Sequence, residues 1–343
     1  MRVRAAAQDA VAQALHPDPV IMTLIATIGL LFFIGFSSQR SGVCMVRAVR
    51  EVIERRRVNR LAGFLLAAAS AMVVMALAEA LGARPYATII GTRPDVWAIA
   101  GGALFGIGTR VGGHCAVGLL AALTAGDLSR TASLAAMFAA AALLGPDMSQ
   151  AAGMLPQRLP AFTPLTGRPE LALALGGGLA ALAAGYIYRR IGWQRPRGGW
   201  SPLVAMTLIG AASSILFALD QRWVYTSRIA EVAYGEVAFT LATVAGPVAL
   251  VAGMLIAAMT GGIFRLRLGS LRDWATAASG GLLMGLGATM VPGGNDTMLF
   301  TGIPLLLPNL LAAYVAFFIT LFIGMRMRKP GAGSHGGNVD PPA

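Results

Sequence analysis

The sequence has few charged residues and almost no cysteine. Only 12% of its 343 residues are Asp, Glu, Lys or Arg, whereas a soluble domain carries about 25%. Hydrophobic residues make up 56% of the chain, and the mean hydropathy is +0.69. This composition excludes a soluble globular protein and predicts a polytopic membrane protein. The sequence has two cysteines, Cys44 and Cys115. A single disulfide would add little to the stability of a membrane protein of this size, so two alternatives remain, a chemical role for the cysteines and a disulfide between them.

Several common functional signatures are missing. The sequence contains no metal-ligand cluster, no Walker loop and no dinucleotide fingerprint, so we predict neither a metal nor a cofactor. The net charge of +12 would suit a nucleic-acid partner. The basic residues, however, lie in short loops between apolar runs, where they set membrane orientation, and we predict no nucleic-acid binding. The run 20–36 lacks a small-residue cleavage site, which indicates a retained first span.

A glycine-rich segment occurs twice, at residues 101–108 and 280–287, with five of eight positions identical. The two copies continue with Gly112, Gly113, His114 and Cys115, and with Gly293, Gly294, Asn295 and Asp296. A glycine pair between two apolar runs predicts a helix, a break and a half-helix. We expect the half-helix from Cys115 to Leu123 in the first copy and towards Pro308 in the second. Within a bilayer such a break is tolerated only where it lines a cavity or is buried in protein. Matching breaks in two halves of a chain therefore predict a transport site.

The apolar runs predict an all-α integral membrane protein with about nine transmembrane helices. Four belong to a first repeat at 20–146, one is a linker helix at 170–190, and four belong to a second repeat at 203–326. One linker span inverts the second half relative to the first. We expect a single membrane domain over 1–343, with a disordered tail at 329–343. Of the 27 lysines and arginines, 19 fall on one side, which predicts an external N-terminus and a cytoplasmic C-terminus.

Both cysteines are expected at helix N-termini. Cys115 follows the first glycine pair, and Cys44 follows Ser41 and Gly42 before a strongly basic helix. A helix N-terminus presents free N–H groups and the positive end of the helix dipole, which favour an anion. The alternative for each cysteine is burial as a small packing residue.

Two neighbours of the cysteines have open roles. His114 precedes Cys115 and either tunes this thiol, binds substrate, or caps and packs the helix. Arg47 lies three residues after Cys44, on the same helical face. It either attracts an anion or sets the orientation in the membrane.

The second half of the chain offers polar residues in place of the cysteines. Asn295 and Asp296 are the repeat partners of His114 and Cys115, and Thr226 stands opposite Cys44 at an offset of 182. Asp296 is either an ordinary helix cap or a functional group within the membrane, for example a proton relay or a partner of Arg110.

These elements resemble the YeeE/YedE family of sulfur-compound transporters, over roughly residues 20–326. The motifs that carry the resemblance are Ser41-Gly42-Val43-Cys44, Gly108-Thr109-Arg110-Val111-Gly112-Gly113-His114-Cys115-Ala116-Val117-Gly118, and Gly293-Gly294-Asn295-Asp296 with Gly302-Ile303-Pro304. The resemblance implies thiosulfate or a related substrate, an hourglass-like helical body with re-entrant loops, and cysteines that pass the anion along by S–H···S contacts. Cys44 and Cys115 match path cysteines, whereas a third cysteine, in the second half, is absent here.

We therefore expect a bacterial inner-membrane permease, not an enzyme, that imports a small sulfur-containing anion. The lipid bilayer surrounds it, and a cytoplasmic sulfur-carrier protein is a candidate partner. The expected path residues are Cys44, Cys115, His114, Gly112, Gly113, Gly293, Gly294, Asn295, Asp296, Ser41, Arg47 and Thr226. Two alternatives remain open: a membrane-embedded sulfur-relay enzyme with Cys115 as nucleophile, and an accessory subunit that transports nothing.

Overall fold

A computed structural model describes residues 19–82, 96–151, 163, 165, 167–191, 200–219, 241–291 and 293–327. Within these ranges the protein is helical and has no strand, apart from one isolated bridge between Asp127 and Arg267. The predicted disordered tail and Thr226 lie outside the described residues.

The helices fall into two series along the chain. Helices α1 to α6 are Pro19–Ser41, Met45–Arg55, Asn59–Ala80, Val96–Gly112, Ala116–Thr124 and Arg130–Ala151. Helices α7 to α12 are Pro169–Ile191, Pro202–Leu219, Leu241–Thr260, Leu271–Met290, Asn295–Gly302 and Pro308–Arg326. The last five residues of α11, Met298–Gly302, form a π-helical turn.

Six candidate membrane spans in the described part of the chain are long and apolar enough to cross a bilayer. They are Ile21–Arg55, Asn59–Ala80, Val96–Thr124, Pro169–Arg190, Thr243–Thr260 and Pro308–Arg326. A seventh exists if α10 and α11, which are bent by 51° at their break, count as one span. Arg130–Leu144 and Leu203–Leu219 are shorter apolar helices. The chain is thus a multi-pass helical membrane protein, and the total of nine spans stays a prediction.

Helix α1 is longer than the apolar run that predicted it. We expected the first span to end at Phe36, but α1 continues to Ser41. The polar side chains in this extension are buried, with Ser37, Ser38 and Gln39 between 0% and 8% exposed. Gln39 Nε2 donates to the Ala121 carbonyl at 3.2 Å. These polar residues face protein rather than lipid. Polar side chains within a membrane protein are tolerated in such protein-facing positions.

The two glycine-rich segments of the repeat pack against each other, on α4 and α10. A Cβ added at Gly108 would lie 2.7 Å from the Gly280 carbonyl oxygen, and one at Gly101 would lie 3.0 Å from that of Gly287. The start of one segment thus meets the end of the other, so the helices run antiparallel. Such close approach is open only to residues without a side chain.

The remaining glycines of each segment contact a further helix. The contacts are Gly102 with Ala313 and Gly106 with Phe317 between α4 and α12, and Gly281 with Ser133 and Gly285 with Met137 between α10 and α6. Gly102 and Gly281 occupy the same place in the sequence repeat, as do Gly106 and Gly285. Equivalent positions therefore make equivalent contacts. In addition, α1 packs against α9, and α3 against α8.

Candidate functional site

Cys44 lies at the start of α2, after a sharp turn. Helix α1 ends at Ser41, and Gly42 has a φ of +64°, a conformation that glycine adopts at little cost. Cys44 is then extended and precedes the first helical residue, Met45. Its side chain is buried, and it makes no capping hydrogen bond. The Ser41 hydroxyl donates to the Ser37 carbonyl at 2.7 Å, within its own helix.

Cys115 occupies the same position at the next helix break. Helix α4 ends at Gly112, Gly113 has a φ of +76°, and the extended Cys115 precedes α5. The predicted break and half-helix are thus present. The Cys115 side chain is buried, and its Sγ lies 3.9 Å from Cys44 Sγ. Both cysteines are free thiols, so two helix N-termini meet at a pair of sulfur atoms.

Gly118 makes room for this pair, and the sequence analysis did not include it among the path residues. A Cβ at Gly118 would lie 2.7 Å from Cys44 Sγ and 3.5 Å from Cys115 Sγ. A signal was available, because residues three apart lie on one face of a helix. Gly118 follows Cys115 at this spacing.

A cavity of about 80 Å³ lies beside Cys115. Asn295 and Asp296, from the start of α11, also line it, and so do the polar residues Ser38, Ser213 and Thr301. The other lining residues are mainly apolar. Asn295 is 2% exposed, and its Oδ1 has no hydrogen-bond partner among the described residues. The cavity therefore joins Cys115 of the first glycine break to the polar pair of the second.

The second glycine break also has a glycine of positive φ before its half-helix, but this is the first glycine of the pair, whereas at the first break it is the second, Gly113. Gly293 has a φ of +99°, and Gly294 is extended immediately before α11. Asp296 is 7% exposed. The half-helix is shorter than we expected, since α11 ends at Gly302 and a turn with Leu306 at a φ of +50° follows. The predicted continuous half-helix towards Pro308 was therefore wrong.

Residues 40–323 of the chain match the model of the YeeE/YedE family, which is described as sulphur transport. The chain belongs to the sulphur transport family. The matched region contains both cysteines and both glycine pairs. No curated protein gives a significant match to the chain.

Two other path residues predicted for this sulphur transport protein lie near the thiols but do not line the cavity. His114 is half-buried, and its Nδ1 lies 3.4 Å from the Gly112 carbonyl oxygen. Arg47 is half-buried in the first turn of α2, close to Gly42. Arg110, considered as a partner of Asp296, donates through Nε to the Gly324 carbonyl at 2.8 Å.

Arg130, which is not among the predicted path residues, contacts the first break at the end of α4. Its Nη1 donates to the Gly112 carbonyl at 2.9 Å, and its Nε pairs with Asp127 Oδ2 at 2.9 Å. The Arg130 side chain is only 10% exposed. A cation at the last carbonyls of α4 also suits the negative end of the helix dipole. No sequence signal separates Arg130 from the loop arginines that set topology.

Metal binding has little support in the ranges that the structure describes. No group of three or more His, Cys, Asp or Glu side chains lies together there. The chemistry available at the site is therefore that of two thiols, two helix N-termini, an amide and a carboxylate.

Proposed function

We propose that this protein is an inner-membrane permease that imports a small sulfur-containing anion, thiosulfate or a close relative. The observation that carries the proposal is the pair of free thiols, 3.9 Å apart, at two converging helix N-termini. Membership of the sulphur transport family supports the same class of substrate.

The chemistry of the two helix N-termini suits a small anion. Free N–H groups at the start of α2 and α5 supply partial positive charge without a fixed cation. A thiol adds a weak S–H donor and a polarisable sulfur, which suits a substrate with a terminal sulfur atom. Contacts of this kind are weak, so a substrate binds at one site and still dissociates quickly enough to reach the next.

The order of the groups supports a path from the cavity to Cys115 and then to Cys44. The cavity is lined by Cys115 but not by Cys44, whereas Cys44 begins the basic helix α2. The excess of lysine and arginine on the side of α2 supports a cytoplasmic position for this end, by the positive-inside rule. On this assignment the N-terminus is outside, and the anion moves inward.

The helix contacts support an inverted repeat, with 20–146 and 203–326 as its halves and 170–190 as the linker. In that arrangement α1 and α8 are the first helices of the two halves, and α3 and α9 the second. The observed pairs, α1 with α9 and α8 with α3, exchange under the two-fold relation. Helices α4 and α10 pair with each other, as the third helices of two inverted halves would.

A direct test is the uptake of labelled thiosulfate by cells that express Cys115→Ala. We expect uptake to fall by roughly tenfold, the effect of losing a contact worth about 1.4 kcal/mol. Ser279→Ala, which also removes one small polar side-chain atom, serves as the control, because Ser279 is exposed on α10 and its hydroxyl donates to the Ala275 carbonyl within that helix. Uptake by Cys115→Ala equal to that of the parent, at equal membrane expression, would remove the thiol from the path. Competition by sulfite, sulfate and sulfide in proteoliposomes defines the substrate.

A further inference from the structure

The segment that connects α9 to α10 carries an unusual mixture of exposed side chains. We call residues 263–274, which comprise most of this segment and the first turn of α10, the basic connector. Its arginines alternate with large apolar residues. The exposed arginines and large apolar residues are Phe264, Arg265, Leu266, Arg267, Leu268, Leu271, Arg272 and Trp274. Leu266 is 68% exposed, Leu268 69% and Leu271 90%.

The basic connector is fixed to the rest of the protein by its backbone. The N–H groups of Arg265 and Arg267 donate to the carbonyls of Ala125 and Gly126, both at 2.8 Å, and Leu128 N–H donates to the Arg267 carbonyl at 3.0 Å. Successive side chains of an extended segment point to opposite sides. Around the bridge at Arg267, Arg265 and Arg267 therefore share one side of the connector, and Leu266 and Leu268 share the other.

The start of α10 is fixed as well. Ser270 and Asp273 form a reciprocal capping box, and Trp274 Nε1 donates to the Leu268 carbonyl at 2.7 Å. Asp273 is the only acidic residue of the basic connector, and its carboxylate accepts from Ser270. None of the three arginines forms an ion pair with the residues that the structure describes. The connector thus keeps a net positive charge.

The helices on either side of the basic connector indicate where it lies relative to the bilayer. Helix α9 is a candidate span that ends at Thr260, and α10 starts the bent pair that forms the seventh candidate. A short connector between two such spans is expected at the level of the lipid headgroups. Arginine is attracted to anionic headgroups there, and Leu, Phe and Trp partition into the adjoining acyl boundary.

We propose that the basic connector is a binding site for anionic lipid. Arg265, Arg267 and Arg272 contact the headgroup, and the exposed leucines enter the acyl region beside it. The bonds to Ala125 and Gly126 hold this site beside Asp127, which pairs with Arg130. The lipid site therefore lies beside Arg130, whose side chain donates to the Gly112 carbonyl at the first glycine break.

The test uses quenching of Trp274 fluorescence in the full chain, reconstituted in mixed vesicles of phosphatidylglycerol and phosphatidylcholine. In one set of vesicles phosphatidylglycerol carries brominated acyl chains, and in a second set phosphatidylcholine does. The Trp274→Phe variant gives the fluorescence of the other tryptophans, which is subtracted. We expect brominated phosphatidylglycerol to quench Trp274 more strongly than brominated phosphatidylcholine. Replacing Arg265, Arg267 and Arg272 by Gln should lower the preference for phosphatidylglycerol by about fivefold for each arginine removed.

A matched control removes three exposed arginines elsewhere, by changing Arg55, Arg56 and Arg57 to Gln. This variant should keep the preference at Trp274. Equal quenching by the two lipids in the parent protein would overturn the proposal, even if the triple variant does not fold. Quenching by water-soluble acrylamide alone would show an aqueous connector. Protection from acrylamide and from both lipids would show that a second copy of the chain covers the connector. Either result would also overturn it.

Discussion

At the scale of single residues, the site depends on how closely Cys44 and Cys115 approach each other. Each side chain alone resembles the small buried cysteines that fill protein cores. Their common position at helix starts and the 3.9 Å between their sulfurs set them apart. The space between them and α5 is controlled by Gly118, which has no side chain to displace either sulfur.

Gly118→Ala should reduce uptake with little effect on stability. The new methyl group would lie 2.7 Å from Cys44 Sγ, the end of a short side chain that turns away by rotating about χ1. Alanine also favours the helix by up to about 1 kcal/mol. Gly178→Ala in α7, where a Cβ meets nothing within 4 Å, is the matched control. Thiosulfate uptake and thermal unfolding measure both effects, and equal uptake by the two variants would contradict the role of Gly118.

Asn295→Leu should raise stability and lower uptake. Asn295 is buried with an unpaired Oδ1, and removing a buried acceptor without a partner relieves about 1 kcal/mol or more. The same change removes a polar group from the wall of the cavity. Thermal unfolding in detergent and uptake in vesicles are the measurements. Asn59→Leu, at another unpaired Oδ1 away from the cavity, should leave uptake unchanged. A loss of stability in Asn295→Leu would show that the amide is structural.

At the scale of secondary-structure elements, helix α5 is held in place from two sides. Its N-terminus approaches Cys44 at the start of α2, and the break before it is held by Arg130 at the start of α6. The bond from Arg130 to the Gly112 carbonyl satisfies an acceptor that the end of α4 would otherwise leave open. Three elements far apart in sequence therefore fix the position of Cys115.

Arg130→Met should lower the free energy of unfolding by about 2 kcal/mol, because Asp127 loses its ion-pair partner and keeps only its bonds from Ser129. Uptake should fall with it, since the break before Cys115 loses its support. Arg50→Met is the control. Its ion pair with Glu54 is 4.0 Å long, with both side chains more than half exposed, so about 0.5 kcal/mol or less is expected. Equal unfolding temperatures for the two variants would refute this role of Arg130.

The breaks themselves were predictable from the sequence, but their neighbours were not. The glycine pairs mark the ends of α4 and α10 because a positive φ and a close approach both favour glycine. The polar extension of α1 was missed because burial against Ala121 depends on tertiary contacts. For the same reason, no local pattern separates Arg130 from an arginine that faces water.

At the scale of the whole molecule, the repeat in the sequence reappears as a set of contacts. The glycines at the start of each segment face those at the end of the other, between α4 and α10, and the remaining glycines face α12 and α6 at equivalent positions. This much follows from the spacing of small residues, which allow close helix contacts in membranes. The meeting of Cys44 with Cys115 did not follow, because residues 71 apart are brought together by the path of the chain. The cavity between the two breaks likewise requires both halves.

The most direct measurement is anomalous diffraction from crystals of the full chain soaked in selenosulfate, a selenium analogue of thiosulfate. The account predicts a selenium peak in the cavity, in contact with Cys115 Sγ and near Asn295. Selenium bound only elsewhere, or a cavity that stays empty while selenosulfate competes for uptake, would contradict it.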